Sequence, residues 1–184
     1  MADSLTPPLG PEDHVTGPPD GPVTLVQYGD YECPHCRLAY AVLHEVLIEV
    51  GDSVRFAFRH FPITDSHPYA VMAAETAESV AALAGELAFW EIHAVLLENQ
   101  DALHIDDLLG YASAIGVDRD EVADDLSHGT YRKRVRADVD SGLRSGVTGT
   151  PTFFINGRRF HGDWSDPDAF TAALRLAARQ SALH

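Results

Sequence analysis

Hydrophobic residues along the chain follow two periods, that of a β-strand and that of an amphipathic helix. Residues 23–28 form a β-branched run and predict a buried strand. An apolar stripe at helical spacing follows and predicts a helix that ends at Gly51. The stripe consists of Ala39, Val42, Leu43, Val46, Leu47 and Val50. Alternation over residues 54–58 predicts a second strand, so these elements form a βαβ unit with a right-handed crossover.

The carboxyl-terminal part has a different pattern, which predicts two strands followed by a helix. Residues 152–155 and 158–160 read as short strands and flank Asn156-Gly157. Asn-Gly between two such runs is a strong signal for a tight hairpin. Asp166-Pro167 then opens a last helix, because proline is favoured at the first helical position. This unit is therefore ββα.

The 89 residues between the two units, 61–149, are too many for a loop inside a compact domain. Their apolar spacing predicts helices near residues 70–85, 89–97, 106–115, 119–126 and 131–143. We therefore predict an α/β protein with four parts. They are an irregular Pro-rich leader (1–22), a βαβ half (23–60), an all-helical insertion (61–149) and a ββα half (150–184).

Charge and hydropathy narrow the functions that this chain can have. It has 28 acidic and 13 basic residues among 184, a formal net charge of −15. A surface of that sign repels phosphate backbones and anionic lipid, so nucleic acid is not an expected partner. No stretch reaches the roughly 18 apolar residues of a membrane span. The amino terminus has neither the basic nor the apolar segment of a secretory signal, which predicts a cytoplasmic location.

Two cysteines three positions apart carry the candidate chemistry. Cys33-Pro34-His35-Cys36 stands at the start of the first predicted helix, with Cys33 at the N-cap and Pro34 at the first helical position. The unpaired N–H groups and the positive end of the helix dipole favour a thiolate at Cys33. A protonated His35 adds a positive charge, whereas Asp30 and Glu32 precede Cys33 and oppose the thiolate. Cysteines at this spacing come within disulfide range, which predicts a redox pair.

Zinc binding is the alternative reading of the two cysteines. Zinc takes four ligands, usually as two close pairs, and the chain has no second C-x-x-C. His60 and His67 are the histidines that could complete such a site. The proline between the cysteines and the strand before them favour redox chemistry, so we predict no metal.

A second motif supports the redox interpretation. Pro151 comes directly before the strand predicted over residues 152–155. When ββα follows βαβ, the start of the third strand lies beside the end of the first, which places Pro151 next to Cys33.

In these motifs the sequence resembles the DsbA-like branch of the thioredoxin superfamily. The resemblance runs from about Pro22 to the last helix and includes the position of the helical insertion. Its motifs are Tyr28-Gly29-Asp30-Tyr31-Glu32-Cys33-Pro34-His35-Cys36, Phe58-Arg59-His60-Phe61-Pro62, Phe89-Trp90-Glu91-Ile92-His93 and Gly149-Thr150-Pro151-Thr152-Phe153-Phe154-Ile155-Asn156-Gly157.

The resemblance implies a thioredoxin fold and a role for each motif residue. Cys33 is then the nucleophile and Cys36 the resolving thiol. Pro151 is expected to be cis, and the Thr150 backbone to pair with a substrate peptide by strand addition. One position departs from the pattern, because Gln27 stands where this branch often has a buried acid that helps to move the proton of the resolving cysteine.

The sequence thus predicts an enzyme that exchanges disulfides with protein or peptide thiols. It needs no bound organic cofactor, because the Cys33–Cys36 disulfide carries the electrons. Glutathione or a thioredoxin-type reductant is the expected electron partner. Two other functions stay open at this point: a zinc- or partner-binding module on the same scaffold, and a glutathione-dependent enzyme acting on small molecules.

Overall fold

A five-stranded mixed sheet forms the centre of the molecule. The computed structural model describes residues 3–183. The strands lie in the order β1-β3-β2-β4-β5. They span His14–Thr16 (β1), Val23–Gly29 (β2), Val54–His60 (β3), Thr152–Ile155 (β4) and Arg158–Arg159 (β5).

The sheet joins the two predicted halves through β2. This strand pairs in parallel with β3, from Val23 opposite Val54 to Gly29 opposite His60. On its other side it pairs antiparallel with β4. Helices α1 (Pro34–Val50) and α7 (Pro167–Ser181) pack on one face of the sheet, in a core shared with β2, β3 and β4. A 3₁₀ turn, Gly51–Ser53, leads from α1 into β3.

Five helices stand between β3 and β4. They are α2 (Ala70–Ala84), α3 (Glu86–Glu98), α4 (Ile105–Ala114), α5 (Arg119–His128) and α6 (Arg132–Arg144). Their apolar faces form one cluster that also includes Tyr31, Cys33, Cys36 and Phe58. The predicted fold class is confirmed: an α/β thioredoxin fold of βαβ and ββα units with inserted helices. No helix among the described residues is long and apolar enough to cross a bilayer.

The amino-terminal segment differs from the prediction of an irregular leader. Within it, β1 pairs antiparallel with β3, with His14 opposite Phe58. Ser4 forms a bridge to Arg158 at the opposite edge of the sheet. Leu5 is buried on the sheet face that α1 and α7 leave free. The prediction was wrong for β1 because edge strands offer unpaired N–H and C=O groups, which an adjacent segment can satisfy without a sequence period of its own.

The hairpin at the other end follows the predicted turn. Phe154 pairs with Arg159 and Ile155 with Arg158. Asn156 has φ of 48° and Gly157 has φ of 75°, the left-handed conformations that the two central residues of a type I′ turn require.

Candidate active site

Cys33 and Cys36 lie at the amino terminus of α1 and are both reduced. Cys33 is the N-cap residue, with φ of −77° and ψ of 121°, and Pro34 is the first helical residue. Both thiols are free, and Cys33 is only 4% exposed while Cys36 is fully buried. Cys33 is covered because the helices of the insertion pack around the start of α1, which leaves only Pro34 and His35 of the motif on the surface.

The two thiols have opposite acidities. A hydrogen bond from Cys36 is the main reason that the pKa of Cys33 is lowered from 9.0 to about 5. Burial opposes this shift, and the backbone N–H groups of His35 and Cys36 support it. The same hydrogen bond, together with burial, raises the pKa of Cys36 far above its ordinary value. The pair is therefore poised as a Cys33 thiolate beside a Cys36 thiol, and only a thiolate is a nucleophile.

The segment before β4 lies against Cys33. The Thr150–Pro151 peptide bond is cis. The thiol of Cys33 donates to the backbone oxygen of Thr150, at 3.4 Å. Tyr28 stands opposite Thr152 in the ladder between β2 and β4, so the end of β2 and the start of β4 meet at the site, as the topology predicts.

The two acidic residues before Cys33 bind groups other than the thiol. The buried carboxylate of Asp30 accepts hydrogen bonds from the backbone N–H groups of Glu32, at 2.8 Å, and Ile63, at 2.7 Å. His67 Nδ1 lies 2.7 Å from the same carboxylate. Glu32 accepts from the backbone N–H of Tyr69, at 2.7 Å. Both carboxylates therefore fasten the active-site loop to the segment after β3.

Two side chains from the insertion also reach this loop. Gln100 donates from Nε2 to the backbone oxygens of Tyr31 and Cys33, each at 2.9 Å. The Tyr31 hydroxyl lies 3.0 Å from Nδ1 of His93. Burial lowers the pKa of His93 to about 3, so this imidazole is neutral. His93 belongs to one of the motifs that carry the resemblance to the DsbA-like branch, whereas no sequence pattern singles out Gln100.

Gln27 is buried beneath the site. Its Nε2 has no hydrogen-bond partner among the described residues, and its neighbour across the ladder is Phe153. An amide in this position cannot accept a proton from Cys36, in contrast to a carboxylate.

The histidines considered as zinc ligands do not join the cysteines. His60 Nε2 lies 2.8 Å from Glu78, and His67 binds Asp30. His60, Glu78 and Asp138 are close enough together to hold a metal. The guanidinium of Arg134 is paired with Asp138 and lies 3.8 Å from Glu78, so a positive charge already faces both carboxylates of that cluster.

Comparison with known proteins agrees with this geometry. A family model described as Thioredoxin matches residues 10–175. The chain belongs to the thioredoxin family. Its fold is similar to that of oxidised BdbD from Bacillus subtilis, with a TM-score of 0.83 and 23% identity over 97% of this chain and 98% of that one. Alpha-DsbA1 from Wolbachia pipientis has a TM-score of 0.80 and 20% identity, covering 100% and 98%.

Sequence relatives of higher identity are much longer proteins. A Na(+)/H(+) antiporter NhaA 3 of Salinispora tropica is 47% identical over 171 residues, which cover 92% of this chain and 26% of the relative. A Na(+)/H(+) antiporter NhaA 1 of Mycobacterium sp. (strain KMS) is 39% identical, covering 88% and 26%. This thioredoxin-family chain therefore spans about a quarter of the length of the curated relatives it matches.

Proposed function

We propose that this protein is a thiol–disulfide oxidoreductase that acts on protein or peptide thiols and disulfides through Cys33 and Cys36. The observation that carries the proposal is the pair of opposed acidities at the start of α1. Cys33 has a pKa of about 5, whereas the pKa of its hydrogen-bond donor Cys36 is strongly raised. At neutral pH Cys33 is therefore a thiolate that can attack a disulfide, while Cys36 stays protonated.

The exchange proceeds in two displacements. The Cys33 thiolate attacks one sulfur of a substrate disulfide, forms a mixed disulfide and releases the other sulfur as a thiolate, which takes up a proton. Cys36 loses its proton, attacks Cys33 Sγ and releases the second substrate thiol. The substrate gains two electrons, and the protein is left with a Cys33–Cys36 disulfide. When the protein starts with the Cys33–Cys36 disulfide and the substrate is a dithiol, the same steps proceed in reverse and the substrate is oxidised.

The low pKa of Cys33 also indicates the direction that the pair favours. A stabilised thiolate stabilises the reduced protein and makes Cys33 a good leaving group, so its disulfide should be oxidising. Equilibration with glutathione buffers of known ratio would measure this. A reduction potential as low as that of a structural disulfide would contradict an oxidant and favour a reductase supplied by a thioredoxin-type partner.

The Thr150 backbone is the proposed docking point for a substrate strand. Its oxygen lies 3.4 Å from Cys33 Sγ and accepts the thiol proton only below the Cys33 pKa of about 5. When Cys33 is a thiolate or part of a disulfide, that donor is gone and the oxygen is free to accept an N–H from a substrate strand. A peptide disulfide N-methylated at the pairing position should exchange more slowly than its parent. Equal rates would exclude strand pairing at Thr150.

A trapping experiment tests the proposed function. Cys36→Ser removes the resolving thiol, so the mixed disulfide at Cys33 should accumulate with a peptide disulfide and be visible by mass spectrometry. Cys33→Ser is the matched control and should form no such adduct. A folded Cys36→Ser variant that forms no adduct would rule out disulfide exchange as the function.

A further inference from the structure

We propose that Gln100, in the helical insertion, is a positioning residue that helps to hold Cys33 as a thiolate. This inference rests on the proposed function and deepens it, because it assigns part of the thiolate's stability to a part of the chain outside the thioredoxin core. Gln100 lies two residues after the end of α3 and is half-buried. It stands 67 positions from Cys33 along the chain.

The geometry uses the whole donor capacity of one side-chain amide. Nε2 of Gln100 carries two hydrogens and meets two backbone oxygens, those of Tyr31 and Cys33, each at 2.9 Å. The two oxygens belong to residues on either side of Glu32 in the active-site loop. The amide therefore fixes the orientation of two carbonyl groups immediately before α1.

The Cys33 carbonyl matters because it begins the helix. It accepts the N–H of Cys36, at 3.0 Å, and of Arg37, at 3.3 Å, which close the first turn. The next residue is Pro34, which has no N–H, so the peptide between Cys33 and Pro34 can be held only through its oxygen. The backbone N–H groups of His35 and Cys36 that stabilise the Cys33 thiolate lie in this same turn.

The same stretch of the insertion holds the loop a second time. His93, on α3, lies 3.0 Å from the Tyr31 hydroxyl. Tyr31 is thus bound at its side chain by α3 and at its carbonyl by Gln100 just beyond α3. Loss of the Gln100 donors would leave Cys33 O without its only partner from outside the first turn of α1 among the described residues. The N–H groups of that turn would then point less closely at the sulfur.

Gln100→Met is the main test, since methionine has a similar shape but no donor and no charge. The Cys33 pKa, followed by thiolate absorbance at 240 nm in the reduced full chain, should rise by about one unit. The equilibrium constant for oxidation of glutathione by the Cys33–Cys36 disulfide should fall about tenfold, which lowers the reduction potential by about 30 mV for a two-electron couple. Gln100→Asn, one methylene shorter, should give a smaller rise and serves if the methionine variant fails to fold.

Asn99→Leu is the matched control. Asn99 is the neighbouring residue, and its side-chain amide also donates to a backbone oxygen, that of Val95 at 2.8 Å, but among the described residues it makes no hydrogen bond to the active-site loop. In the Asn99→Leu variant the Cys33 pKa should equal that of the wild type, even if the thermal stability of the variant is lower. An unchanged pKa in folded Gln100→Met, or equal rises in both variants, would overturn the proposal. The titration needs no substrate, so it can fail while mixed-disulfide trapping at Cys33 still succeeds.

Discussion

At the scale of single residues, the acidity of Cys33 is set by its nearest donors more than by the acids that precede it. The chief donor is Cys36, and backbone N–H groups of the first helical turn add to it. The carboxylates of Asp30 and Glu32 accept hydrogen bonds from backbone N–H groups, and that of Asp30 also contacts His67, so both are directed to partners other than Cys33. The sequence predicted the thiolate because the N-cap rule is local, whereas the directions of these two carboxylates depend on the segment after β3.

The alkylation rate of the reduced protein should report this acidity. Cys33 reacts only as a thiolate, so its rate with iodoacetamide should rise with pH through a midpoint near 5. Cys36→Ala removes the main donor and should move the midpoint upward, towards the ordinary value of 9.0. Peptide mapping by mass spectrometry should find the label on Cys33. Rapid labelling of Cys36, or an unmoved midpoint in Cys36→Ala, would contradict this assignment.

At the scale of elements, one buried arginine joins the amino-terminal segment to the sheet. Arg59, on β3, donates to both carboxylate oxygens of Asp13, at 2.7 and 2.9 Å. It also donates to the backbone oxygens of Pro7, at 3.0 Å, and Pro8, at 3.2 Å. The remaining contact is with the Tyr28 hydroxyl, at 3.0 Å. Arginine presents five donors in a planar fork, and here every direction of the fork has a partner.

Arg59→Met should therefore destabilise the protein by about 3–5 kcal/mol, because it leaves Asp13 as a buried charge without its partner. Urea unfolding of the full chain measures the loss. Arg175→Met is the matched control: Arg175 lies 2.9 Å from Glu49, but both side chains are about half exposed. Such a surface pair contributes less than about 1 kcal/mol. Similar losses for the two variants would mean that the segment before β2 contributes little to the fold.

At the scale of the whole molecule, the sequence predicted what local rules decide and missed what distant segments decide together. The strands and helices of both halves, the Asn156-Gly157 turn and the cysteine pair follow from spacing, turn chemistry and capping. Gln100 carries no such signal, because a single amide in a loop becomes significant only when folding brings it to Cys33. The strand β1 was missed for a related reason, since three residues between prolines have no period until β3 offers them an edge. The cytoplasmic location stays a prediction.

His14 connects the amino-terminal segment to the consecutive helices α2 and α3, with partners 64 and 72 positions further along the chain. Its Nδ1 lies 2.8 Å from Glu86, at the start of α3, and its Nε2 lies 3.2 Å from Glu78, on α2. Its ring stacks on Phe89, with centroids 3.5 Å apart. A carboxylate at each ring nitrogen requires a proton on both, so the geometry selects the imidazolium. Burial disfavours this charge, but Glu78 and Glu86 outweigh it and raise the pKa of His14 above 6.5.

A raised pKa ties the stability of the fold to pH. His14 contributes stability that is fully present below the unfolded-state pKa of 6.5 and is lost as the pH rises through the higher pKa of the folded state. The free energy of unfolding of the wild type should therefore exceed that of His14→Gln most at about pH 6 and least at about pH 8.5. Urea unfolding across this range measures the difference. Arg134 and His60 also face Glu78, and both are present in the wild type and in His14→Gln.

His128→Gln gives the matched control for that titration. His128 also lies beside a carboxylate, that of Asp124 at 3.3 Å, but both side chains are about 70% exposed. Solvent screens such a pair, so this variant should differ little from the wild type at any pH. A His14→Gln difference that stays constant with pH would show that the pKa of His14 is the same in the folded and unfolded states. The contact between β1 and α3 would then depend on the stacking against Phe89 and on the hydrogen bond from the Val15 N–H to Glu86, and the stability of the molecule would not respond to pH at this position.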